Sequence, residues 1–445
     1  MERAIADFLV AALVPRSGPH VAGALAEAAA LLAAHPSLAQ DDLFAAATLG
    51  DADAVRSHLA SNPALATAVG GPYQWDALTH LCFSRYLRLD RSRSEGFVAA
   101  ARLLLDGGAN ANTGFYEPGH EPEPTVESVT YGAAGVAHHA ALTQLLLEHG
   151  ADPNDGETPY HAPESYDNSA LAVLVESGRL SADSLATMLL RKADWHDIAG
   201  MRYLLTHGAD PNRATGWRHT ALQQAVRRDN SLDLIELLVE HGGDLALTHD
   251  PHTGTPLQTA ARRGRADILA LAKKRGIAFA PMGLDAFLVA CATGDAVGAN
   301  ALLEETAGLR DALRRSGGAF LAEFAGTDNA DGVRCLLDAG VPVNAVYATG
   351  DGYFDIARNS LAIHVAAWRA SHATVALLIE RGSPIDALDG MGRTPLQLAV
   401  RACVDSYWMA HRRPDSVRAL LHAGASRRGI VIPTGYDAID ALLTT

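Results

Sequence analysis

The chain has 445 residues, 48% of them hydrophobic, and its 36 basic and 51 acidic residues give a formal net charge of −15. This apolar content is sufficient for a continuous core. Nucleic-acid binding requires a basic stripe along the protein, and the sequence has none, so we expect no nucleic-acid partner.

The cysteines and the N-terminus indicate the compartment. Four cysteines lie far apart and form no CxxC pair, which is typical of small core residues in a reducing environment. The apolar stretch FLVAALV near the N-terminus is flanked by acidic residues and ends before Pro15, too early for a transmembrane helix or a convincing signal peptide. We therefore expect a cytoplasmic protein that makes no membrane contact.

One sequence motif, called the repeat phrase, recurs along the chain, and its clearest copy is ALTQLLLEHGADPN, residues 141–154. Its leucines recur at helical spacing, Gly150 ends the helix, and the following DPN opens a turn that cannot continue it. Related phrases occur at four other positions: YLLTHGADPN ending at Asn212, LLLDGGANAN ending at Asn112, LLDAGVPVN ending at Asn344 and LLIERGSPID ending at Asp386. Such self-similarity predicts a solenoid of stacked repeats.

The glycines that end these helices define the repeat length. Successive stops are 28 to 42 residues apart. The predicted stops are Gly108, Gly150, Gly178, Gly208, Gly242, Gly276, Gly308, Gly340, Gly382 and Gly424. Each repeat is therefore long enough for two short helices and a turn.

The repeats resemble the ankyrin repeat family, whose units open with a TPLHxAA phrase and continue with an outer VVxLLLxxGAD phrase. The opening phrase is best preserved as GTPLQTAARRG (254–264) and GRTPLQLAV (392–400). Degenerate forms are ETPYHA (157–162), HTALQQAV (219–226) and LAIHVAA (361–367). The resemblance covers about residues 20–426. It implies antiparallel helix pairs joined by projecting loops, which are called fingers. The inner helices and the fingers together make a concave face.

The sequence thus predicts an all-α, ankyrin-repeat solenoid of about 11–12 helix-turn-helix units with long fingers and helical caps. The predicted parts are an N-terminal helical cap (1–40), the repeat array (41–426) and a C-terminal cap (427–445). Residues 41–178 and 284–424 are expected to be a partial internal duplication, because Gly50-Asp51 and Gly294-Asp295 occupy matching places in both.

Four departures from the regular repeat stand out. Residues 112–131 and 344–361 are fingers much longer than the family's turn, and the first contains three prolines. Two inner helices are predicted to extend beyond the usual length, over residues 82–95 and 403–416. Inserts of this kind are more typical of a binding or catalytic surface than of a plain scaffold.

Aromatic side chains are concentrated on fingers and inner helices. All five tryptophans follow this pattern: Trp75, Trp195, Trp217, Trp368 and Trp408. Large amphipathic rings on one face are typical of a binding groove. The alternative is that the inserts pack on one another and bury their own rings.

Polar residues cluster in three successive middle repeats. In the first repeat, Pro163 stops the inner helix early and leaves a polar loop. Because stacked helices lie about 10 Å apart, the three groups are expected to face one volume. The groups are Glu157, Tyr160, His161, Glu164, Tyr166 and Asp167; then Lys192, Asp194, Trp195, His196 and Asp197; then Trp217, Arg218, His219, Arg227, Arg228 and Asp229.

Two of the histidines have a family position and two do not. His161 and His364 occupy the place of the TPLH histidine, which the resemblance implies to be a structural residue bonded to the backbone. His196 and His219 match no family position, so the sequence favours a functional role for them more than for His161 and His364.

The sequence leaves two functions open. The first is a binding protein that holds a protein or a small polar ligand in an aromatic-rich groove, with a monomer as the simplest assembly. Its ligand-binding residues would be Tyr160, His161, Tyr166, Lys192, Trp195, Trp217, His219, Arg228, Asp229, Trp368 and Trp408.

The alternative is an enzyme, a hydrolase or lyase acting on a small polar or glycosidic substrate. Paired carboxylates and a histidine suit acid–base chemistry, with Glu157, Glu164, Asp194 and His196 as the catalytic candidates. No metal site is expected, because HExxH and CxxC pairs do not occur, and no cofactor is expected, because the sequence has no P-loop and no dinucleotide fingerprint.

Overall fold

The computed structural model describes most of the chain, and α-helices dominate it, so the predicted all-α class is confirmed. No helix in these residues is long and apolar enough to cross a membrane. The structure does not describe the three prolines of the first long finger or Tyr407 of the second predicted long inner helix. The described residues are 1–117, 125–250, 252–406 and 408–444.

The first compact unit comprises Met1–Asn230 and Leu237–Asp244. Helix α16 (Leu232–Glu240) contains residues of both units. The preceding helices are α1 (Glu2–Ala12), α2 (Ala26–Ala34), α3 (Leu38–Asp41), α4 (Leu43–Leu49), α5 (Ala52–Ser61), α6 (Ala77–Cys82), α7 (Arg85–Leu89), α8 (Ser94–Asp106), α9 (Val129–Tyr131), α10 (Ala140–Glu148), α11 (Glu157–His161), α12 (Ser169–Glu176), α13 (Ala182–Asp194), α14 (Ile198–Thr206) and α15 (Ala221–Arg227), with 3₁₀ turns at Pro63–Thr67 and Arg91–Arg93 and a π-helix at Gly132–Val136.

The second unit comprises Ser231–Glu236 and Leu245–Thr445. Its remaining helices are α17 (Pro256–Arg262), α18 (Ala266–Lys274), α19 (Gly283–Ala292), α20 (Ala296–Glu305), α21 (Leu309–Gly326), α22 (Ala330–Asp338), α23 (Ala362–Trp368), α24 (His372–Glu380), α25 (Pro395–Val404), α26 (Asp415–His422) and α27 (Asp437–Thr444), with a 3₁₀ turn at Met409–His411.

Within each unit, inner helices pack on inner helices and outer helices on outer helices. In the first unit α11 packs on α13 and α13 on α15, while α10 packs on α12. In the second unit α21 packs on α23 and α23 on α25, while α24 packs on α26. All four cysteines are buried thiols. In the first unit this arrangement buries a shared apolar cluster that runs from Phe8 to Ala151, as stacking of repeats requires.

Three fingers carry short antiparallel strand pairs. They are β1 (Val69–Gly70) with β2 (Trp75–Asp76), β3 (Gly114–Tyr116) with β4 (Val126–Ser128), and β5 (Val346–Tyr347) with β6 (Ser360–Leu361). The last two pairs form the bases of the predicted long fingers. A strand pair fixes where each finger returns to its inner helix.

The two long inner helices are shorter than predicted. Helix α6 ends at Cys82, and Ser84 starts a separate helix by accepting a hydrogen bond from the Tyr86 N–H at 3.1 Å. Likewise α25 ends at Val404 and a short 3₁₀ turn follows. In the first segment, the Ser84 cap thus divides the predicted long helix into separate short elements.

The ten predicted glycine stops are confirmed. Each lies two or three residues after the end of an outer helix and has φ between +66° and +101°. A Cβ built at any of the ten would meet no atom within 4 Å. The glycines are therefore required by backbone conformation, which costs any other L-residue free energy, and not by packing.

Asparagines connect neighbouring fingers of the first unit. The Asn112 side chain accepts from the Asp152 N–H (2.7 Å) and donates to the Gly150 carbonyl (3.2 Å). Asn154 makes the same two bonds to Ser181 and Arg179, and Asn212 makes them to Asp244 and Gly242. The asparagine that closes each of these repeat phrases is thus an inter-repeat bridge.

Candidate functional site

The irregular loop after the repeat phrase that ends at Asn154 is built around Asp155 and Pro163. Asp155 accepts hydrogen bonds from the N–H (2.7 Å) and the hydroxyl (2.8 Å) of Thr158, which starts α11. The helix ends at His161 after five residues, because Pro163 cannot continue it. The chain then forms a loop before α12, and this loop exposes polar side chains of α11 and of the loop toward the next repeat.

His161 lies between two carboxylates. Its Nε2 is 3.2 Å from Glu157 Oε2, and its Nδ1 is 2.9 Å from Glu164 Oε2. Burial lowers the pKa of His161, but the hydrogen bonds to Glu157 and Glu164 outweigh burial and raise that pKa to about 9. The Tyr131 ring lies 4.9 Å away. At neutral pH this imidazole is a cation, whereas the family position implies a backbone-bonded histidine.

The same network continues into α13 and α15 through arginines. Arg191 donates to Glu164 and to Asp194, and its guanidinium lies 4.0 Å from the Tyr160 ring centroid. Asp194 also accepts from Arg228 Nε at 2.7 Å and from Gln224 Nε2 at 2.6 Å. Since the side chain of Asp194 is only 7% exposed, it serves as the fixed centre of this arginine cluster.

A cleft of about 260 Å³ lies over this network. Trp217, which is 51% exposed, forms one rim with its ring 5.5 Å from Tyr160, and Arg227 Nη1 lies 2.7 Å from His219 Nε2. The lining residues are Tyr160, Leu190, Arg191, Asp194, Trp217, His219, Gln224, Arg227 and Arg228. Three arginines and two aromatic rings therefore face one volume.

Other predicted site residues of the first unit have structural contacts. Lys192 is fully buried and donates to Asp197 (2.8 Å) and to the Ser165 carbonyl (2.6 Å), so it holds the α11–α12 loop. Tyr166 is 67% exposed and donates to the Trp195 carbonyl at 2.8 Å, with the two rings 5.7 Å apart. These three residues do not line the cleft.

His196 and Asp229 occupy the turn between an inner and an outer helix. Their φ angles are +52° and +51°, in the left-handed region where Gly264 (+70°) and Gly294 (+72°) lie in other repeats. The next residue caps the outer helix; for instance, Asp197 accepts from the Gly200 N–H at 2.9 Å. The backbone geometry of this turn gives both residues a structural explanation.

The remaining tryptophans pack against neighbouring fingers and inserts. Trp75 is 5% exposed and stacks on Phe115 at 4.3 Å in the first unit. In the second unit Trp368 is 5% exposed, donates to the Phe354 carbonyl and packs edge-on against Trp408 at 5.0 Å. The alternative interpretation of the aromatic bias, that inserts bury their own rings, therefore describes Trp75 and Trp368.

A second polar cluster, which the sequence did not indicate, involves His20, Glu117, Glu127 and Tyr131. Glu127 is 1% exposed, and burial, followed by repulsion from Glu157 and Glu117, raises its pKa to about 8. Sequence reasoning also omitted Arg191 and Gln224 from the site. The spacing of Arg191 and Asp194, three residues apart on one helix, was the available signal for the arginine cluster.

Comparison with known proteins identifies the repeats. A family model described as ankyrin repeats, in three copies, matches residues 189–279. Among solved structures, the ankyrin repeat domain of Bcl-3, described as a unique member of the IkappaB protein family, matches at 21% identity over 52% of this chain and 97% of that chain, with a TM-score of 0.24. No curated protein matches. Residues 189–279 are ankyrin repeats, and such repeats are generally modules for protein–protein interaction.

Proposed function

We propose that this chain is a binding protein that receives an acidic segment of a protein partner in the cleft between Tyr160 and Trp217. The observation that carries the proposal is the composition of the cleft, where Arg191, Arg227 and Arg228 face one volume beside a half-exposed tryptophan. Exposed tryptophan and arginine are the residues that most often dominate binding energy at protein interfaces.

Charge supports an anionic ligand. The whole chain has a net charge of −15, yet its cleft is lined by three guanidinium groups against one carboxylate, that of Asp194. Asp194 pre-orients Arg191 and Arg228, and one guanidinium carries five N–H donors, so a fixed arginine can serve more than one acceptor. A carboxylate entering this cleft would meet donors already in position.

Size supports a segment of a protein more than a small molecule. Pockets that enclose drug-sized ligands usually have volumes of about 300–1,000 Å³. The cleft, at about 260 Å³, is slightly below that range and suits one or two side chains. Trp217 at the rim offers apolar surface to the residues that flank the bound carboxylate.

Binding is favoured over acid–base catalysis because the candidate carboxylates are held by cations. Burial raises the pKa of Glu164, but hydrogen bonds and charge from His161 and Arg191 outweigh burial and leave that pKa below its usual value. Asp194 is held by Arg191 and Arg228. A carboxylate with a lowered pKa is a weak general base and is not protonated at neutral pH to act as an acid.

The proposal is tested by fluorescence anisotropy with labelled hexaglutamate, using labelled hexalysine as the reversed-charge probe. We expect hexaglutamate to bind, with affinity that falls as salt increases. The double variant Arg227→Ala/Arg228→Ala should weaken binding at least tenfold. Arg202→Ala, which removes an exposed arginine of α14, is the matched control and should leave the affinity unchanged.

Two results would contradict the proposal. One is equal binding of the acidic and basic peptides. The other is equal weakening by Arg202→Ala and by the double variant, because the peptide would then respond to overall charge and not to the cleft. Trp217→Ala provides an independent check, since it removes apolar surface without changing charge, and it should also weaken hexaglutamate binding.

A further inference from the structure

The N-terminal loop and the first long finger meet at a buried polar cluster. Strand β3 pairs with β4 so that Phe115 lies opposite Glu127. His20, from the loop after α1, packs against the Phe115 ring at 5.9 Å and the Phe83 ring at 6.2 Å. Aromatic rings therefore fix the imidazole beside a carboxylate of the finger.

Three potential metal ligands converge in this cluster. His20 Nε2 is 2.9 Å from Glu117 Oε2, and His20 Nδ1 is 3.9 Å from Glu127 Oε2. One donor atom of each residue lies within 4.8 Å of the other two. His20 is 8% and Glu127 1% exposed, so two of the three groups are inside the protein.

We propose that His20, Glu117 and Glu127 bind one divalent transition-metal ion, of the kind represented by Zn²⁺. One imidazole nitrogen and two carboxylate oxygens form a mixed set that suits zinc, with a fourth position for water. Donor atoms about 2.0–2.2 Å from a tetrahedral ion lie roughly 3.3–3.6 Å apart. The Nε2–Glu117 separation of 2.9 Å is shorter than that, and the three donor atoms lie within 4.8 Å of one another, so small side-chain rotations would complete the site.

The surroundings provide the outer contacts that metal ligands usually have. The Tyr131 hydroxyl lies 2.9 Å from His20 Nδ1, which would orient the ring while Nε2 faces the ion. Arg16, from the same loop, donates to the Tyr116 carbonyl at 3.3 Å, and its guanidinium lies 4.4 Å from the Phe115 ring. A bound ion would balance the charge of one buried and one partly buried carboxylate and tie the N-terminal loop to the finger, independently of the arginine-lined cleft.

The experiment is calorimetric titration of the full chain with Zn²⁺ after removal of metals by a chelator. We expect one ion per chain and a higher unfolding temperature with zinc. His20→Gln and Glu127→Gln should each raise the dissociation constant at least tenfold and abolish the thermal shift. His149→Gln, which changes a surface histidine 3.4 Å from Asp106, is the matched control and should change neither.

Substitutions at buried positions can disturb folding, so a second variant and a second readout are included. Glu117→Gln changes the most exposed of the three ligands, and its folded state is verified by circular dichroism before titration. Co²⁺ should produce visible absorption bands in the wild-type chain that Glu117→Gln weakens. The proposal is overturned if no stoichiometric binding occurs, or if zinc affinity in the three ligand variants equals that of the control.

Discussion

At the scale of single residues, His161 makes folding stability depend on pH in the alkaline range. Its pKa is raised to about 9, above the ordinary value of 6.5, because Glu157 and Glu164 stabilise the imidazolium more than burial destabilises it. The folded state therefore binds the proton more tightly than the unfolded state does. The resulting stabilisation is fully present below pH 6.5 and is lost as the pH rises through about 9.

We predict that His161→Asn lowers the free energy of unfolding by on the order of 2 kcal/mol at pH 6, and that the difference from wild type nearly vanishes by pH 10. Urea denaturation at a series of pH values measures this difference. A constant difference from pH 6 to pH 10 would show that the substitution acts through packing and not through the ion pairs.

For His80 the pH dependence of stability has the opposite sign, which provides an internal comparison with His161. Burial lowers the pKa of His80 to about 4, against a smaller effect of its 2.8 Å hydrogen bond to the Asp76 carbonyl. Here the unfolded state binds the proton more tightly. The stabilisation from a neutral buried imidazole is present above pH 6.5 and is lost as the pH falls toward 4.

At the scale of secondary-structure elements, the glycine stops determine where each outer helix ends. Gly208 has φ of +93°, and a Cβ there would meet no neighbouring atom. We predict that Gly208→Ala lowers the free energy of unfolding by about 1 kcal/mol, because alanine is strained in this conformation. Chemical denaturation of the full chain measures the change.

Gly216 is the matched control, since it belongs to the same finger, has open space around it and lacks a positive φ. Gly216→Ala should change stability by less than about 0.5 kcal/mol. Equal destabilisation by both substitutions would mean that loss of flexibility in general, and not the left-handed conformation, explains the glycine at position 208.

Secondary-structure elements could be predicted from the sequence more fully than the candidate sites could. The stops, the fingers and the helix pairs depend on local signals, namely apolar spacing, glycine and proline, and these repeat along the chain. The turn between inner and outer helices was partly missed, because His196 and Asp229 replace the glycine that other repeats have there. Alignment of His196-Asp197 with Gly294-Asp295 would have revealed it.

The candidate sites depend on longer distances in the sequence, which explains why they were only partly predicted. The arginine cleft joins residues of neighbouring repeats, so stacking brought Tyr160, Asp194 and Arg228 together in the prediction. His20 precedes the regular repeats and contacts Tyr131, 111 positions later. No periodic signal connects those positions, and only the folded finger brings them together.

At the scale of the whole molecule, the chain forms two compact units, and repeat proteins lose stability locally when one repeat is weakened. Leu146 in α10 and Leu378 in α24 are both fully buried. We predict that either leucine-to-alanine substitution costs about 2–5 kcal/mol and reduces amide hydrogen-exchange protection mainly in its own unit. Hydrogen-exchange mass spectrometry of the full chain measures this distribution.

Val297→Ala serves as the control for that experiment, because the Val297 side chain is 82% exposed and should leave protection unchanged in both units. Equal loss of protection across both units after either buried substitution would indicate that the chain unfolds as a single cooperative body. The two-unit description would then have no thermodynamic counterpart.

The asparagine bridges have a consequence for how such a chain can change its length. Each bridging side chain binds a backbone N–H and a backbone carbonyl, and the bonded N–H lies 40, 27 and 32 residues along the chain from Asn112, Asn154 and Asn212. These two backbone bonds do not depend on which side chains the following module carries or on the size of that module. Whole modules can therefore be lengthened, trimmed or exchanged while the coupling between neighbours is preserved, which gives evolution freedom to vary fingers and pockets on a constant frame.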